Sequence, residues 1–344
     1  MAKKKRMTLR DVAREAGVSP TAVSFAYNAP HQLSPATRDR ILSTAAALGY
    51  QPHPVARTLA TGRTNSVGFV MASSLNWMLH DPFFNIVLGE MGAVCDDHNM
   101  HMLLIPAHSD KAATNLDTIA VDGFVMVAIH REHPLSFFAE TTARPVVMLD
   151  GDERIQAIKF NVDDVNGAYA AAKHLLDQGH RHIAVATLGP RPNNAPIPRM
   201  ERRLRGYQQA VADAGLAPDT LNVVHTAGLL SAGPESLETI LSLSPRPSAV
   251  LCINDVRALG MLDAARSAGL SVPGDLAVVG FDDLPEAALA YPPLTTVRQR
   301  VEERVRSAVD LLLKMIEAED MDSVTAGLGN CIISSADLIV RQSA

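Results

Sequence analysis

Two groups of side chains in this sequence have the types and spacing to act on a partner, and neither is suited to covalent catalysis. The first comprises Thr8, Ser19, Ser24, Asn28, Ser34, Thr37 and Arg38, mostly small hydroxyls with one amide and one guanidinium. Such groups hydrogen-bond phosphate oxygens and fix register on a duplex without reading its sequence. Among them stand Pro20, Thr21 and Phe25. Thr21 and Phe25 lie one helical turn apart, where a hydroxyl and an apolar ring can meet base edges or a thymine methyl. The alternative for Phe25 is a place in the core, and for any one of the small polar residues plain surface solubility. The second group is Asp150, Arg203, Asn254 and Asp282, set at strand ends or the opening of a helix. Fixed polar groups at strand ends can meet a ligand, and these types suit a polyhydroxylated one, since each exchanges several hydroxyl hydrogen bonds.

Other chemistries lack their signatures. The chain contains no Gly-x-Ser-x-Gly elbow, no phosphate-cradling loop ending in Gly-Lys-Ser/Thr and no His-Glu-x-x-His. Gly327-Leu328-Gly329 lacks the third glycine of a dinucleotide fingerprint. His98 with His101, and His180 with His182, have no cysteine or carboxylate pattern of a zinc site beside them. No enzyme, cofactor or metal is expected. Cys95, Cys252 and Cys331 are far apart and suit a reducing cytoplasm. No run of eighteen apolar residues exists, and polar Thr8, Arg10 and Asp11 follow the Lys3–Arg6 cluster where a secretory signal would be apolar. The expected location is the cytoplasm, in association with the nucleoid.

The elements that must position these residues are legible from start and stop signals. Thr8 with Asp11 has capping-box spacing, and Gly17 closes the helix that follows. Ser19-Pro20 and Ser34-Pro35 each pair a hydroxyl cap with a proline at the first helical position. Three short helices, the first two separated by a tight turn, predict a helix-turn-helix domain over residues 1–49. Residues 50–63 form a linker in which Val55–Ala60 can make one or two helical turns only when docked, being too short to be stable alone. Residues 1–63 carry ten Lys/Arg against three acids, +7, whereas the remainder carries 21 against 34, −13. A basic head on an acidic body is the footprint of a nucleic-acid-binding module.

Over residues 64–344, apolar strands alternate with amphipathic helices. Predicted strands are 66–71, 101–105, 123–128, 146–149, 158–160, 182–187, 249–253 and 276–281. Helices fall at 85–98, 166–178, 202–214, 235–243 and 258–268. This alternation predicts an α/β core of parallel sheets covered on both faces, arranged as two doubly wound lobes with a ligand cleft between them.

Thr8-Leu9-Arg10-Asp11-Val12-Ala13, Ala16-Gly17-Val18-Ser19, Val23-Ser24 and Asn28 resemble the helix-turn-helix of the lactose/galactose-repressor (LacI/GalR) family. So do Ser34-Pro35-Ala36-Thr37-Arg38, Leu48-Gly49-Tyr50-Gln51-Pro52 and Ala56-Arg57-Thr58-Leu59. Later blocks agree: Asn254-Asp255, Val278 to Asp283, and Pro292 to Val297. The resemblance implies a DNA-binding head, a hinge helix and a periplasmic-binding-protein-like core, in a ligand-responsive repressor that binds a pseudo-palindromic operator as a homodimer. It implies that Leu59 enters the minor groove, with small Ala56 permitting close approach and Arg57 supplying charge; the alternative is that Leu59 covers the core. It places ligand contacts at Asp150, Arg203, Asn254 and Asp282, and points to a sugar or related small metabolite as effector. Structural caps and inter-lobe salt bridges are the alternative for Arg203 and Asp282. Two departures stand out. Phe25 occupies a place where the family often has arginine, and the aromatic wall expected near Ala227-Gly228 is missing, leaving Trp77, His80 and Phe83 as substitutes. An activating or corepressor-dependent regulator of the same family remains open. A sugar-binding transport protein would share the core but not the basic head.

Overall fold

The computed structural model describes residues 7–107, 115–189, 197–226 and 230–344. Lys3–Arg6 and Ala227-Gly228, singled out above, lie outside the described residues. The chain divides into two units between Asn65 and Ser66.

The first unit is helical: α1 Leu9–Ala16, α2 Pro20–Asn28, α3 Pro35–Ala47 and α4 Pro54–Thr61. Local side chains set the boundaries. Thr8 Oγ1 accepts from Asp11 N while Asp11 reaches back to Thr8 N, both bonds of a capping box, and Gly17 takes φ 63° at the other end. Only glycine adopts that left-handed turn without a Cβ penalty. Ser19 Oγ accepts from Ala22 N at 3.1 Å, and Ser34 Oγ from Thr37 N at 3.3 Å. Each such cap contributes about 1 kcal/mol. Val12, Ala13, Ala16, Val23, Ala26, Ile41 and Ala45 form the small core that fixes the three helices.

The second unit holds two lobes. In the first, β1 (Ser66–Met71) is followed by α5 (Leu75–His80), α6 (Pro82–Asp97), β2 (His101–Pro106), β3 (Gly123–Val127), α7 (Pro134–Thr141), β4 (Val146–Leu149) and β5 (Ile158–Val162). The second lobe runs α8 (Asp164–Asp177), β6 (Ile183–Leu188), α9 (Pro198–Asp213), β7 (Leu221–Thr226), α10 (Gly233–Leu241), β8 (Ala249–Cys252), α11 (Asp255–Ser267), β9 (Ala277–Val279), α12 (Pro285–Leu289) and β10 (Thr296–Arg298). The chain then returns to the first lobe for α13 (Val301–Glu317), α14 (Met321–Thr325) and β11 (Cys331–Ser334), and ends in the second with β12 (Asp337–Ile339).

The first sheet has the order β11-β5-β4-β3-β1-β2 and the second β7-β6-β8-β9, every pair parallel; β10 and β12 make an antiparallel pair. Each sheet is packed on both faces. Phe84, Val87, Val305 and Leu312 cover one side of the first sheet, and Leu135 and Phe138 the other. Leu175 and Tyr207 cover one side of the second, and Leu237 and Met261 the other. That burial is why β3, β4, β8 and β9 read as unbroken apolar runs. The chain order reverses between β1 and β3 in one sheet and between β6 and β8 in the other, so each carries a crevice at its switch point. Arg203 is the sixth residue of α9 rather than its opening residue, because Pro198 starts the helix earlier. Gly206 of the same helix lets α9 press on α8; a Cβ there would stand 2.2 Å from Val165 O.

Candidate DNA-reading helix and inter-lobe cleft

Burial sorts the faces of α2. Val23 and Ala26 point into the core, Ala22 and Tyr27 pack at its edge, and Ser19, Pro20 and Thr21 are exposed. Phe25 is half-buried and does not join the core cluster, so the ring borders the outward face. Ser24 and Asn28 are half-buried and bonded to each other, Nδ2 to Oγ, at 3.3 Å. Across the turn, exposed Ser34 and Arg38 flank half-buried Thr37, whose Oγ1 lies 2.8 Å from Ser34 Oγ. Thr8, Ser19 and Ser34 all carry cap hydrogen bonds, which locks their hydroxyls at helix starts, where backbone N–H groups also favour phosphate. On α4, Ala56 and Arg57 are exposed, and Leu59 is 83% exposed and outside the apolar core of the head. Gly62 closes that helix in the left-handed region, φ 70°.

In the second unit, three of the four polar candidates belong to one buried network. Asp150, just after β4, pairs with Arg304 of α13. Arg304 Nη2 donates to Gln299 Oε1 at 3.3 Å, and Gln299 in turn donates to Asp282. Asp282 faces Arg203 at 3.6 Å, and Arg203 Nε donates to Asp164 Oδ1 at 2.8 Å. Asp164 also receives Arg202 Nε at 3.0 Å. Arg203 stacks on Phe281, 3.6 Å above the ring centroid, and donates through Nη1 to Ile253 O. The network thus runs from one lobe to the other, with Gln299 on the crossing segment. Asp150 and Asp282 hold the backbone at φ 54° and 139°, strained values of the kind found at ligand clamps.

Electrostatics separate the two carboxylates. Burial alone would raise Asp150, but Arg304, Arg199 and Arg202 outweigh it and hold the group below its ordinary value. Burial pushes Asp282 well up, and Arg203 offsets this only in part. Asn254 stands outside this network. Its Oδ1 caps α11, accepting from Arg257 N at 3.3 Å and Arg257 Nη1 at 2.9 Å.

Two cavities of about 600 Å³ open between the lobes. Trp77, His80 and Asp81 face Leu230, Val256 and Leu259 across one; Glu132, Asp152 and Arg154 face Pro198, Arg202 and Arg205 across the other. Trp77 therefore sits on a helix wall of an inter-lobe space, its ring 5.5 Å from that of Phe84. Phe83 is different. It is buried in the first-lobe core against Phe84 and lines neither cavity.

Arg199 and Arg257 are not among the residues that sequence reasoning singles out. A signal is present all the same: both stand in the first turn of a helix, where the macrodipole disfavours a cation. Among the described residues no cluster of three His, Cys, Asp or Glu is placed to hold a metal ion, and no helix is long and apolar enough to cross a membrane.

Comparison with known proteins agrees with this architecture. Residues 8–53 match the model for bacterial regulatory proteins of the lacI family, and residues 172–343 that for a periplasmic binding protein-like domain. The HTH-type transcriptional regulator CelR of Thermobifida fusca is 31% identical over 351 residues, covering all of both chains. A solved complex of the transcriptional regulator CelR with cellobiose superposes with a TM-score of 0.70 at 27% identity, covering 98% of this chain and 100% of that one. The lac repressor dimer bound to operator and the anti-inducer ONPF shares the fold, with a TM-score of 0.81 at 24% identity over 98% of this chain and 99% of that one.

Proposed function

Because the chain belongs to the LacI family of bacterial regulatory proteins, we propose that it is a transcriptional repressor gripping a pseudo-palindromic operator as a homodimer, under control of a small ligand held between its lobes. In this reading α2 lies in the major groove, with Pro20, Thr21 and Phe25 toward base edges. Thr8, Ser19, Ser24, Asn28, Ser34, Thr37 and Arg38 hold phosphates. Two copies of α4, one from each protomer, set Leu59 into the central minor groove beside Ala56 and Arg57. An apolar wedge costs a few kcal/mol of unstacking and is offset by the contacts a bent duplex permits.

The observation that carries this is Leu59 itself. The leucine is 83% exposed on an eight-residue helix between small Ala56 and Ala60 and beside basic Arg57, at the position where the family resemblance puts the groove wedge, so it is free to meet a minor groove. Leu59→Ala is therefore expected to lower specific operator affinity about 10- to 100-fold, to reduce the DNA bend, and to leave thermal stability unchanged. Equal affinity and equal bend, measured by titration and by circular-permutation gel shift, would remove the wedge.

The ligand in this proposal is a sugar or related metabolite, as in the CelR complex with cellobiose. Asp150, Arg203 and Asp282 act through the network that joins the lobes, Asn254 acts beside it through Arg257, and Trp77 supplies an apolar wall. Phe83 supports that wall from the core. Ligand binding shifts the lobes and with them the two hinge helices; coupling of this kind is typically about 1–3 kcal/mol. Asp282→Asn, which keeps an oxygen for the bond from Gln299, should abolish release from the operator while leaving operator affinity intact.

A further inference from the structure

We infer that the ligand of the inter-lobe cleft is anionic, a polyhydroxylated small molecule bearing a phosphate or carboxylate group that is held between Arg199 and Arg257. The inference rests on the regulatory reading above and narrows its ligand class. It begins with two guanidinium groups that the fold leaves incomplete. Arg257 is 5% exposed, and its Nε and Nη1 donate to Thr226 Oγ1 and Asn254 Oδ1, but its buried Nη2 has no partner. Arg199 is half-buried, its Nη1 sealed from solvent and also without a partner. Neither forms an ion pair within 4 Å among the described residues. A guanidinium stays protonated at any ordinary pH, so each is a buried donor and a buried charge at once, the kind of group that is costly to leave unmatched.

Their place in the fold gives both a common target. Arg199 is the second residue of α9, after β6; Arg257 is the third residue of α11, after β8. Strands β6 and β8 are adjacent and parallel, and between them the strand order reverses. The switch-point crevice is where open α/β sheets bind ligands. Two helix N-termini converge there, and their partial positive charge favours an anion just where it opposes an arginine. The nearby carboxylates are mostly committed: Asp150 to Arg304, Asp164 to Arg202 and Arg203, Asp282 to Gln299 and Arg203. Asp81, of the first lobe, and Asp282 are the acids whose fields reach both arginines; Asp81 caps Phe83 N at 3.1 Å. A ligand anion would complete the donor set that Asp81 does not pair with. Burial works against the charge of both arginines, and an anion between them reverses that penalty.

The test uses the full chain and inorganic phosphate as probe, at constant ionic strength against chloride. Phosphate should raise the unfolding temperature of the wild type and bind with a dissociation constant at least about tenfold lower than in Arg257→Met or Arg199→Met. In phosphate-free buffer Arg199→Met should unfold at the same temperature as the wild type or higher, since it removes a charge with no partner. A phosphate response that is absent, or equal in all three proteins, overturns the inference, as does a marked loss of stability in Arg199→Met without phosphate. Glucose 6-phosphate and gluconate are then compared with glucose for release of the operator. Release by the neutral sugar alone, with no phosphate binding, ends the anion assignment and leaves the regulatory reading intact. Phosphate binding in a protein with no preference for any operator has the opposite consequence.

Discussion

The head and the two-lobed unit solve opposite problems with polar side chains. In the head, Ser19, Thr21, Ser34 and Arg38 are exposed, and the side-chain hydrogen bonds of Ser19 and Ser34 reach only three residues along the chain. In the larger unit, Asp150, Arg203 and Asp282 are buried and tied to partners from other elements, the Asp150–Arg304 pair spanning 154 residues. Removing a head contact should therefore weaken binding at a cost to folding of no more than the roughly 1 kcal/mol of a helix cap. Removing a member of the buried network should disturb folding first.

The largest effect is expected at Asp164, which pairs two buried arginines at once. Asp164→Ala leaves Arg202 and Arg203 without their carboxylate and should cost about 3–5 kcal/mol, read as a drop in the urea midpoint. A loss below about 1 kcal/mol would erase the contrast between the two units. Next comes pH. Asp255 accepts from Thr296 Oγ1 and Leu284 N in full burial, and burial raises it from 3.8 to about 6. The folded chain keeps this proton after the unfolded chain has released it, so the contribution to stability falls as pH rises from about 4 to 6. The fall amounts to about 3 kcal/mol, and Asp282, also raised, adds to it. Asp152 acts in the other direction. Burial opposes its charge, but bonds from Arg154 and the backbone lower it to about 2, so its contribution is lost only below about pH 4. Unfolding midpoints at pH 4.5 and 7 should therefore differ less in Asp255→Asn than in the wild type; an unchanged difference refutes the assignment.

Smaller effects belong to the head. Phe25→Ala should weaken operator binding by about 1–2 kcal/mol, the range of a base-edge contact, with little change in melting temperature. A large stability loss would place Phe25 in the core instead. Ser34→Ala should cost about 1 kcal/mol of head stability through the lost cap of α3, visible as faster hydrogen exchange across that helix.

Legibility follows the same division. Helix starts at Thr8, Ser19 and Ser34 and the stop at Gly17 are readable because each signal lies within four residues of what it controls. Apolar runs mark the central strands because parallel sheets bury both faces. Edge strand β7 escapes sequence reasoning: half-buried Asn222 and exposed His225 interrupt its apolar residues. Helix α13 escapes it too, although Val301, Val305, Ala308, Val309 and Leu312 repeat at helical spacing. It leaves the second lobe to pack in the first, a return that periodicity does not encode. At the cleft, Arg203 stands out in the sequence and Arg199 and Arg257 do not, because burial without a partner is invisible in a linear chain.

The capped helices of the head, the alternation of strands and helices, and the sign of charge on each part are written in the linear chain, since all three depend on near neighbours. That Asp150, Arg304, Gln299, Asp282 and Arg203 share one network, and that Phe83 turns into the core, comes from long-range packing. The same packing brings two arginines to the switch point of the second sheet with donors unused. Those outcomes depend on which distant segments exclude water from one another, and no local pattern records that.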